Sequence, residues 1–314
     1  MIPSSHSATC VIQNLAHLPT GEGMRFPILL AADLHGVERH YELLAAYAAH
    51  VKPRAVILAG DLAPTQGEID PVVQRPFIEH RLIPLLSPIK EQGAAIYAIL
   101  GNDDCGVHEL FERPNDVYTL IHGRRIPINE DFDIVGYTPV PITPFDEKDW
   151  EKFDLSHVDD RVKKAYAQLQ QKWKLEGKVS TQTGWKEVRL NPERANVDSI
   201  QRDLASEVFT QHPEKTVYVI HAPPFGTALD VTRNAAGEKI HVGSIAVREF
   251  IERRQPYITV HGHIHETVRL TGAIGQQIGN ALCMTPGHEY QTECIAAALF
   301  DLYEPMNATR IIIR

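Results

Sequence analysis

Five apolar runs in this chain each stop at side chains that can donate oxygen or nitrogen: FPILLAAD (26–33), RAVILAGD (54–61), AAIYAILGN (94–102), TVYVIH (216–221) and YITVHGH (257–263). Runs this short and this apolar predict strands buried on both faces, each opening into a loop. Helical patterns lie between several of them. Val37, Tyr41, Leu44 and Ala48 share one helical face, and Val197, Ile200, Leu204 and Val208 share another. Ser244 stands where an N-cap belongs before IAVREFIERRQP, and Pro256 stops that helix ahead of the next strand. Strand and helix in alternation make the class α/β.

The final stretch changes character. TVRLTG, QQIGNALCMTPG, IAAALFDL and ATRIIIR are short β-type runs without helical patterns between them, which predicts antiparallel strands at a sheet edge or in a second sheet. Residues from about 140 to 196 also break the alternation: they are polar, rich in charge, and hold all three tryptophans, Trp150, Trp173 and Trp185. They read as an insertion within a single 1–314 domain, either a surface subdomain with a minor core or a cap over the site. A formal charge of −9 supplies no long-range field for a nucleic-acid backbone or an anionic membrane. No apolar run approaches the ~18 residues of a membrane helix, and the opening MIPSSHSATCVIQNLAHLP lacks the basic and apolar regions of a signal peptide. Cys10, Cys105, Cys283 and Cys294 show no C-x-x-C or zinc-ribbon spacing, so the expectation is a cytoplasmic protein whose cysteines are small buried hydrophobes.

The polar residues at the strand ends are Asp33 and His35 in D-L-H, Asp61 in G-D, Asn102 in G-N-D-D, His221 in H-A-P-P, and His263 and His265 in G-H-I-H. In an extended segment residues i and i+2 project to one face, so Asp33 with His35, and His263 with His265, can each aim two ligands at one point. Mixed carboxylate, amide and imidazole donors suit Mn, Fe, Zn, Co or Ni, with Mn or Fe favoured; an all-oxygen set would favour Mg or Ca. Seven donors exceed what one tetrahedral ion takes, and a carboxylate can bridge, which leads to two ions. Such pairs sit about 3.5–4 Å apart and act on phosphoryl oxygens. Each motif is weak singly. Their joint occurrence, each closing an apolar run, carries the reading.

In these motifs and their order the chain resembles the calcineurin-like metallophosphoesterase superfamily, whose motifs run D-x-H, G-D, G-N-H-D/E, a lone H, and G-H-x-H. The match spans residues 26 to about 300. The resemblance implies two facing mixed β-sheets flanked by helices, with metals at the carboxyl ends of the strands. It implies that Asp33, His35, Asp61 and His265 hold one ion and that Asp61, Asn102, His221 and His263 hold the other, Asp61 being the bridge. Gly60, Gly101 and Gly262 each precede a ligand, as expected where backbone turns tightly or approaches the ions. The segment from HAPPFGTALD through HVGS and REFIERRQP to HGHIHET is similar to a bacterial and archaeal branch of the superfamily.

The third motif departs from the pattern. Relatives carry a histidine there that protonates the leaving group, whereas this chain has Asp103. A positioned general acid is worth about 10²–10⁴ in rate. Asp103 is then a protonated substitute or an orienting carboxylate, or His108, His241 or His288 reaches in, or the leaving group needs little help. Relatives lacking the histidine include phosphodiesterases. The expected activity is a dinuclear phosphohydrolase that cleaves a small-molecule phosphoester, diester over monoester, by attack of a metal-bridging hydroxide, with Asp61, Asp103 and His221 carrying the chemistry. The alternatives are a metal-binding scaffold without catalysis and a nuclease, which the acidic balance argues against. An amidohydrolase is set aside, because too little chain follows His265 to complete a barrel of about 250 residues. His40 and His50 read as surface or packing residues, and His241 and Ser244 as candidates to orient ligands or touch substrate. Glu266 alternates away from the ligand face. T-P-G at Thr285–Gly287 stands where relatives often have N-P-G. The sequence leaves the oligomeric state open.

Overall fold

The computed structural model describes residues 15–65, 69–107, 109–157, 160, 164, 174–289 and 293–314. Cys10, His108 and Trp173, singled out above, lie outside them, as does the opening segment to residue 14. The first third of the chain alternates as expected: β1 (Pro27–Ala31), α1 (Glu38–Val51), β2 (Ala55–Ala59), α2 (Pro71–His80), α3 (Leu82–Glu91) and β3 (Ala95–Ile99). α2 starts where Asp70 accepts a hydrogen bond from Val72 N and Pro71 fills the first turn. β4 (Thr119–Leu120), β5 (Arg125–Pro127), β6 (Asp133–Tyr137), β7 (Val140–Pro141), β8 (Glu151–Lys152), β9 (Glu176–Thr181) and β10 (Gly184–Arg189) follow. Then come α4 (Ile200–Leu204), α5 (Glu207–Thr210), β11 (Thr216–Ile220), β12 (Val231–Arg233), β13 (Lys239–His241), α6 (Ile245–Arg254), β14 (Ile258–Val260) and α7 (Thr267–Thr271). β15 (Gly275–Ile278), β16 (Ala281–Met284), β17 (Ile295–Asp301) and β18 (Glu304–Ile313) close the chain.

Two six-stranded mixed sheets result, in the orders β18-β17-β1-β2-β3-β4 and β15-β16-β14-β11-β6-β5. β1, β2 and β3 run parallel, as do β6, β11, β14 and β16, so each sheet collects several strand carboxyl ends along one edge. The sheets face each other. Ile28, Leu30, Ile57 and Ile99 of the first meet Ile134, Val217, Val219, Ile258 and Val260 of the second. The alternate residues Leu29, Val56, Leu58 and Ala98 pack beneath the helical side chains Leu44, Ala48, Phe77 and Leu86. On the far side Tyr218 and Ile220 pack with Ile200, Leu204, Phe209, Val247 and Ile251. Apolar contacts on both faces explain why these strands are unbroken apolar runs rather than alternating ones.

The tail supplies the antiparallel edges: β17 and β18 border the first sheet, and β15 borders the second. TVRLTG is a correction, since it forms α7 rather than a strand. Thr267 and Thr271, four residues apart, both donate their hydroxyls to Ala228 O at 2.8 and 3.1 Å, a convergence that only helical spacing allows. Gly272 then ends the turn at φ 76°. The helix expected across Val197 to Val208 is also divided. Ser206 bonds back to Asp203 O at 2.6 Å between α4 and α5, and Val197 is left exposed.

In the stretch from 140 to 196, expected to be an insertion, β7 pairs with β8 and β9 with β10, and Ile142, Phe153 and Ala195 form a small cluster with Leu175 and Leu190. Trp150 ties it to the main body by donating Nε1–H to Asp104 O at 2.7 Å. Lys148 and Glu151 form a fully buried ion pair at 2.6 Å within it. Cys105, Cys283 and Cys294 are buried and form no disulfide among the described residues. No helix among the described residues is long and apolar enough to cross a membrane.

Candidate metal centre

The loops that leave β1, β2, β3, β11 and β14 carry all seven donors to one region between the sheet edges. Donor atoms of Asp33, His35, Asp61 and His265 all lie within 4.8 Å of one another. His35 Nε2 and His265 Nε2 are 3.1 Å apart, and Asp33 Oδ1 is 3.9 Å from His265 Nε2. Two nitrogens at ~2.1 Å from one ion and at right angles about it would be separated by ~3.0 Å. On the other side of Asp61, His221 Nε2 lies 3.4 Å from Asp61 Oδ2 and 3.1 Å from Asn102 Oδ1. The ring of His263 is 5.2 Å from that of His221. His221 Nδ1 is 2.7 Å from Ala59 O and donates to it, which turns Nε2 toward Asp61 and Asn102.

The pairs D-x-H and H-x-H do not converge by the extended alternation expected above. Asp33, His35, Asp61 and His263 all have positive φ, at 57°, 48°, 54° and 71°. Such conformations cost of order 1 kcal/mol or more per residue and persist where the surroundings enforce them. Here the strand-end loops continue to bond: Asp33 N to Gly60 O at 3.0 Å, His35 N to Asp61 O at 2.9 Å and Gly36 N to Leu62 O at 2.8 Å. His263 N donates to Asp33 Oδ1 at 3.1 Å, which joins the two sheets at the site. Glycine is required at two neighbouring positions. A Cβ on Gly60 would stand 2.3 Å from His221 Nδ1, and one on Gly101 would stand 2.1 Å from Asp61 Oδ1.

Asp104 and Gln74 hold the loops of the centre without any motif announcing them. The fully buried Asp104 carboxylate accepts from Leu62 N, Ala63 N and Gly101 N at 2.7–3.0 Å, clamping the loop beyond Asp61 to the third motif. It orients backbone rather than imidazoles. Gln74 holds the same turn from below, donating to Asp103 O at 2.6 Å and accepting from Cys105 N at 2.9 Å. Its only sequence signal is a polar residue on the inner side of α2. His261 is buried within H-G-H but lies 2.8 Å from both Thr259 Oγ1 and Ile220 O, a structural role. Ser244 caps α6 and donates to Asp154, and His241 pairs with Asp230 at 2.8 Å. His40 is buried, whereas His50 is half-buried beside Tyr47.

The donor chemistry fits divalent cations. His35 Nδ1 is buried and has no hydrogen-bond partner, its nearest carboxylate oxygen being Asp103 Oδ2 at 3.7 Å. Burial, then the charges of Asp61 and Asp104, push the Asp103 carboxyl up to about 9. Burial also lowers His263 to about 3 and depresses His35, which keeps both imidazoles neutral and able to donate lone pairs. Burial opposes charge on His221 and Asp61 too, but their mutual attraction wins, raising His221 to about 9 and holding Asp61 below the usual carboxylate range. Crowded carboxylates beside the neutral imidazoles of His35 and His263 suit metal cations.

Residues 26–267 match the family of calcineurin-like phosphoesterases, more than half of the chain. This chain belongs to that family. Among solved structures it is similar to TT1561 of Thermus thermophilus, with 13% identity over 92% of this chain and 99% of that one, at a TM-score of 0.55. A second crystal structure aligns over 92% of this chain and 98% of its own, at 16% identity and a TM-score of 0.51. Identities this low speak for the fold alone. No curated protein matches the chain significantly. The family makes this a metal-dependent phosphoesterase, and the Asp and His cluster at the strand ends suits a metal site.

A cavity of about 770 Å³ opens over the centre. Asp61, Asn102, Asp103, His263 and His265 form its floor, the insertion residues Ile142, Phe145, Glu151 and Lys178 one wall, and Thr232, Arg233 and Ile240 the other. Glu266 lines it as well and accepts from Thr232 Oγ1. It begins the helical turn of α7, so strand alternation is not what orients it.

Proposed function

We propose that this phosphoesterase is a binuclear hydrolase that prefers phosphodiesters of small molecules, with manganese or iron as the favoured ions. The observation that carries the reading is the position of Asp61 between two donor groups, Asp33, His35 and His265 on one side and Asn102, His221 and His263 on the other. When bound, the cations would supply Lewis acidity toward the phosphoryl oxygens and lower the pKa of a water. The residues of the chain do the rest. Ala59 O fixes the tautomer of His221, and Asp104 and Gln74 fix the loops that present Asp61 and Asn102. Asp103 Oδ1 accepts from Asn102 Nδ2 at 2.6 Å, and burial with the charges of Asp61 and Asp104 favours the protonated carboxyl, so Oδ2 is the oxygen that would pass a proton to the departing alkoxide.

Charge supports the diester. The cavity offers Lys178 and Arg233 against Asp61, Asp146, Glu147, Glu151 and Glu266. A diester brings one negative charge into those walls and a monoester brings two. The test is a panel of nitrophenyl mono- and diesters in Mn, Fe, Co, Zn and Ni, read as kcat/KM. The expected result is a diester preference of at least about tenfold, the worth of roughly 1.4 kcal/mol. Equal or better turnover of monoesters would overturn the preference. Absence of turnover in protein that holds both ions would favour the scaffold reading instead.

A further inference from the structure

The loop that follows β16 brings a fifth histidine to the centre. β16 runs parallel to β14, so its carboxyl end opens at the same edge as the G-H-I-H loop. From there Thr285, Pro286, Gly287 and His288 turn back over the site. Gly287 takes φ 64°, with its N–H donated to Thr285 Oγ1 at 3.2 Å. Arg310 of β18 anchors the turn by donating to Pro286 O and to Glu289 Oε1, both at 2.7 Å. His288 N donates to His265 O at 3.2 Å, which fixes the two loops to each other. A turn held at this many points delivers its side chain to a defined place.

That place is the Asp33 side of the centre. The ring of His288 is 4.8 Å from that of His265 and 5.7 Å from that of His35. Ligand nitrogens of His35, His265 and His288 lie within 4.8 Å of one another, the same span that encloses Asp33, His35, Asp61 and His265. Opposite ligands at ~2.1 Å from a common ion stand ~4.2 Å apart, so small side-chain rotations suffice to close the set. His288 is absent from the cavity lining, where Asp103, His263 and His265 are found. That placement suits a ligand approaching from behind better than an acid reaching a leaving group.

We propose, resting on the binuclear reading above, that His288 supplies a third imidazole to the ion held by Asp33, His35, Asp61 and His265. The set then contains three nitrogens, which tilts it away from Mg and toward Fe, Co, Ni or Zn.

The experiment compares full-length wild type, His288→Ala and His288→Gln by calorimetric titration of metal-stripped protein with Mn and Co, and by X-ray absorption at the Co edge. The expected result is a loss of about 100-fold or more in affinity for one ion only, given that even indirect supports of ligands cost 10–100-fold. The imidazole count at that ion falls by one, and added free imidazole restores affinity to His288→Ala. Unchanged affinity and imidazole count would overturn the assignment while leaving two bound ions and the functional reading intact. If both variants fail to fold, the wild-type protein decides. Two imidazoles at the ion beside Asp33 refute the proposal and three uphold it. A wild type that binds no ion overturns this proposal and the functional reading together.

Discussion

Asp61 has the most demands placed on it. It is fully buried at φ 54°, accepts Asp103 N at 2.9 Å, and faces His221 at 3.4 Å. Asp61→Asn keeps the shape and removes the charge, so turnover is expected to vanish and bound metal to fall, as read by elemental analysis. Gly101→Ala attacks the same carboxylate by volume, since its Cβ would meet Asp61 Oδ1. Metal is expected to be lost while the far-UV circular dichroism stays unchanged. Asp103→Asn is expected to lose about 10²–10⁴ on alkyl leaving groups and little on nitrophenolate, measured as the dependence of kcat/KM on leaving-group pKa. Equal losses across the series would mean that Asp103 orients rather than protonates. The seven donors could be picked from the sequence because each closes an apolar run. Asp104 and Gln74 could not, because what they fasten is backbone of another loop: Leu62 N and Ala63 N lie 42 and 41 residues from Asp104, and Asp103 O lies 29 from Gln74. His288 could be named only as one of three histidines able to reach in, because the turn that places it rests on Arg310 and His265 O, both remote in sequence.

At the level of elements, β1, β2, β3, β11 and β14 were legible for a physical reason, burial on both faces leaving an unbroken apolar run, whereas β6 was not read and β16, expected in an antiparallel tail, runs parallel to β14. α7 was not, because its helical turn depends on Ala228 O, an acceptor remote in sequence. The insertion carries a testable pair. Lys148 Nζ reaches Glu151 Oε2 and Phe145 O, both at 2.6 Å, with neither charged side chain in contact with water to any extent. Lys148→Met leaves a buried carboxyl unpaired and is expected to cost about 3–5 kcal/mol in denaturant unfolding, whereas replacing both partners by apolar residues recovers much of that loss. Burial, only partly offset by Lys148, raises Glu151 to about 7. Between the unfolded value near ~4.3 and about 7, the folded chain therefore binds the proton more than the unfolded chain does. Stability from this group is fully present below that window and is lost as the pH rises through it. Glu151→Gln keeps the contacts to Lys148 and Thr143 without titrating, so unfolding at pH 4.5 and pH 8 is expected to show a smaller fall in the variant than in the wild type.

For the whole molecule, the centre joins the two sheets. Asp33 and Asp61 come from the first, His221, His263 and His265 from the second, and His263 N bonds directly to Asp33. Ions bound there would link the halves and stabilise only the folded chain. Manganese at 100 times its dissociation constant is then expected to add about 2.7 kcal/mol per site, seen as a rise in Tm that a chelator reverses. The facing-sheet architecture followed from resemblance and not from composition, because pairing between distant strands leaves no local pattern. The most direct test of the central claim is anomalous diffraction from crystals grown with manganese. The account predicts two peaks about 3.5–4 Å apart, one on each side of Asp61. A centre that stays empty, or a single peak remote from Asp61, would contradict it.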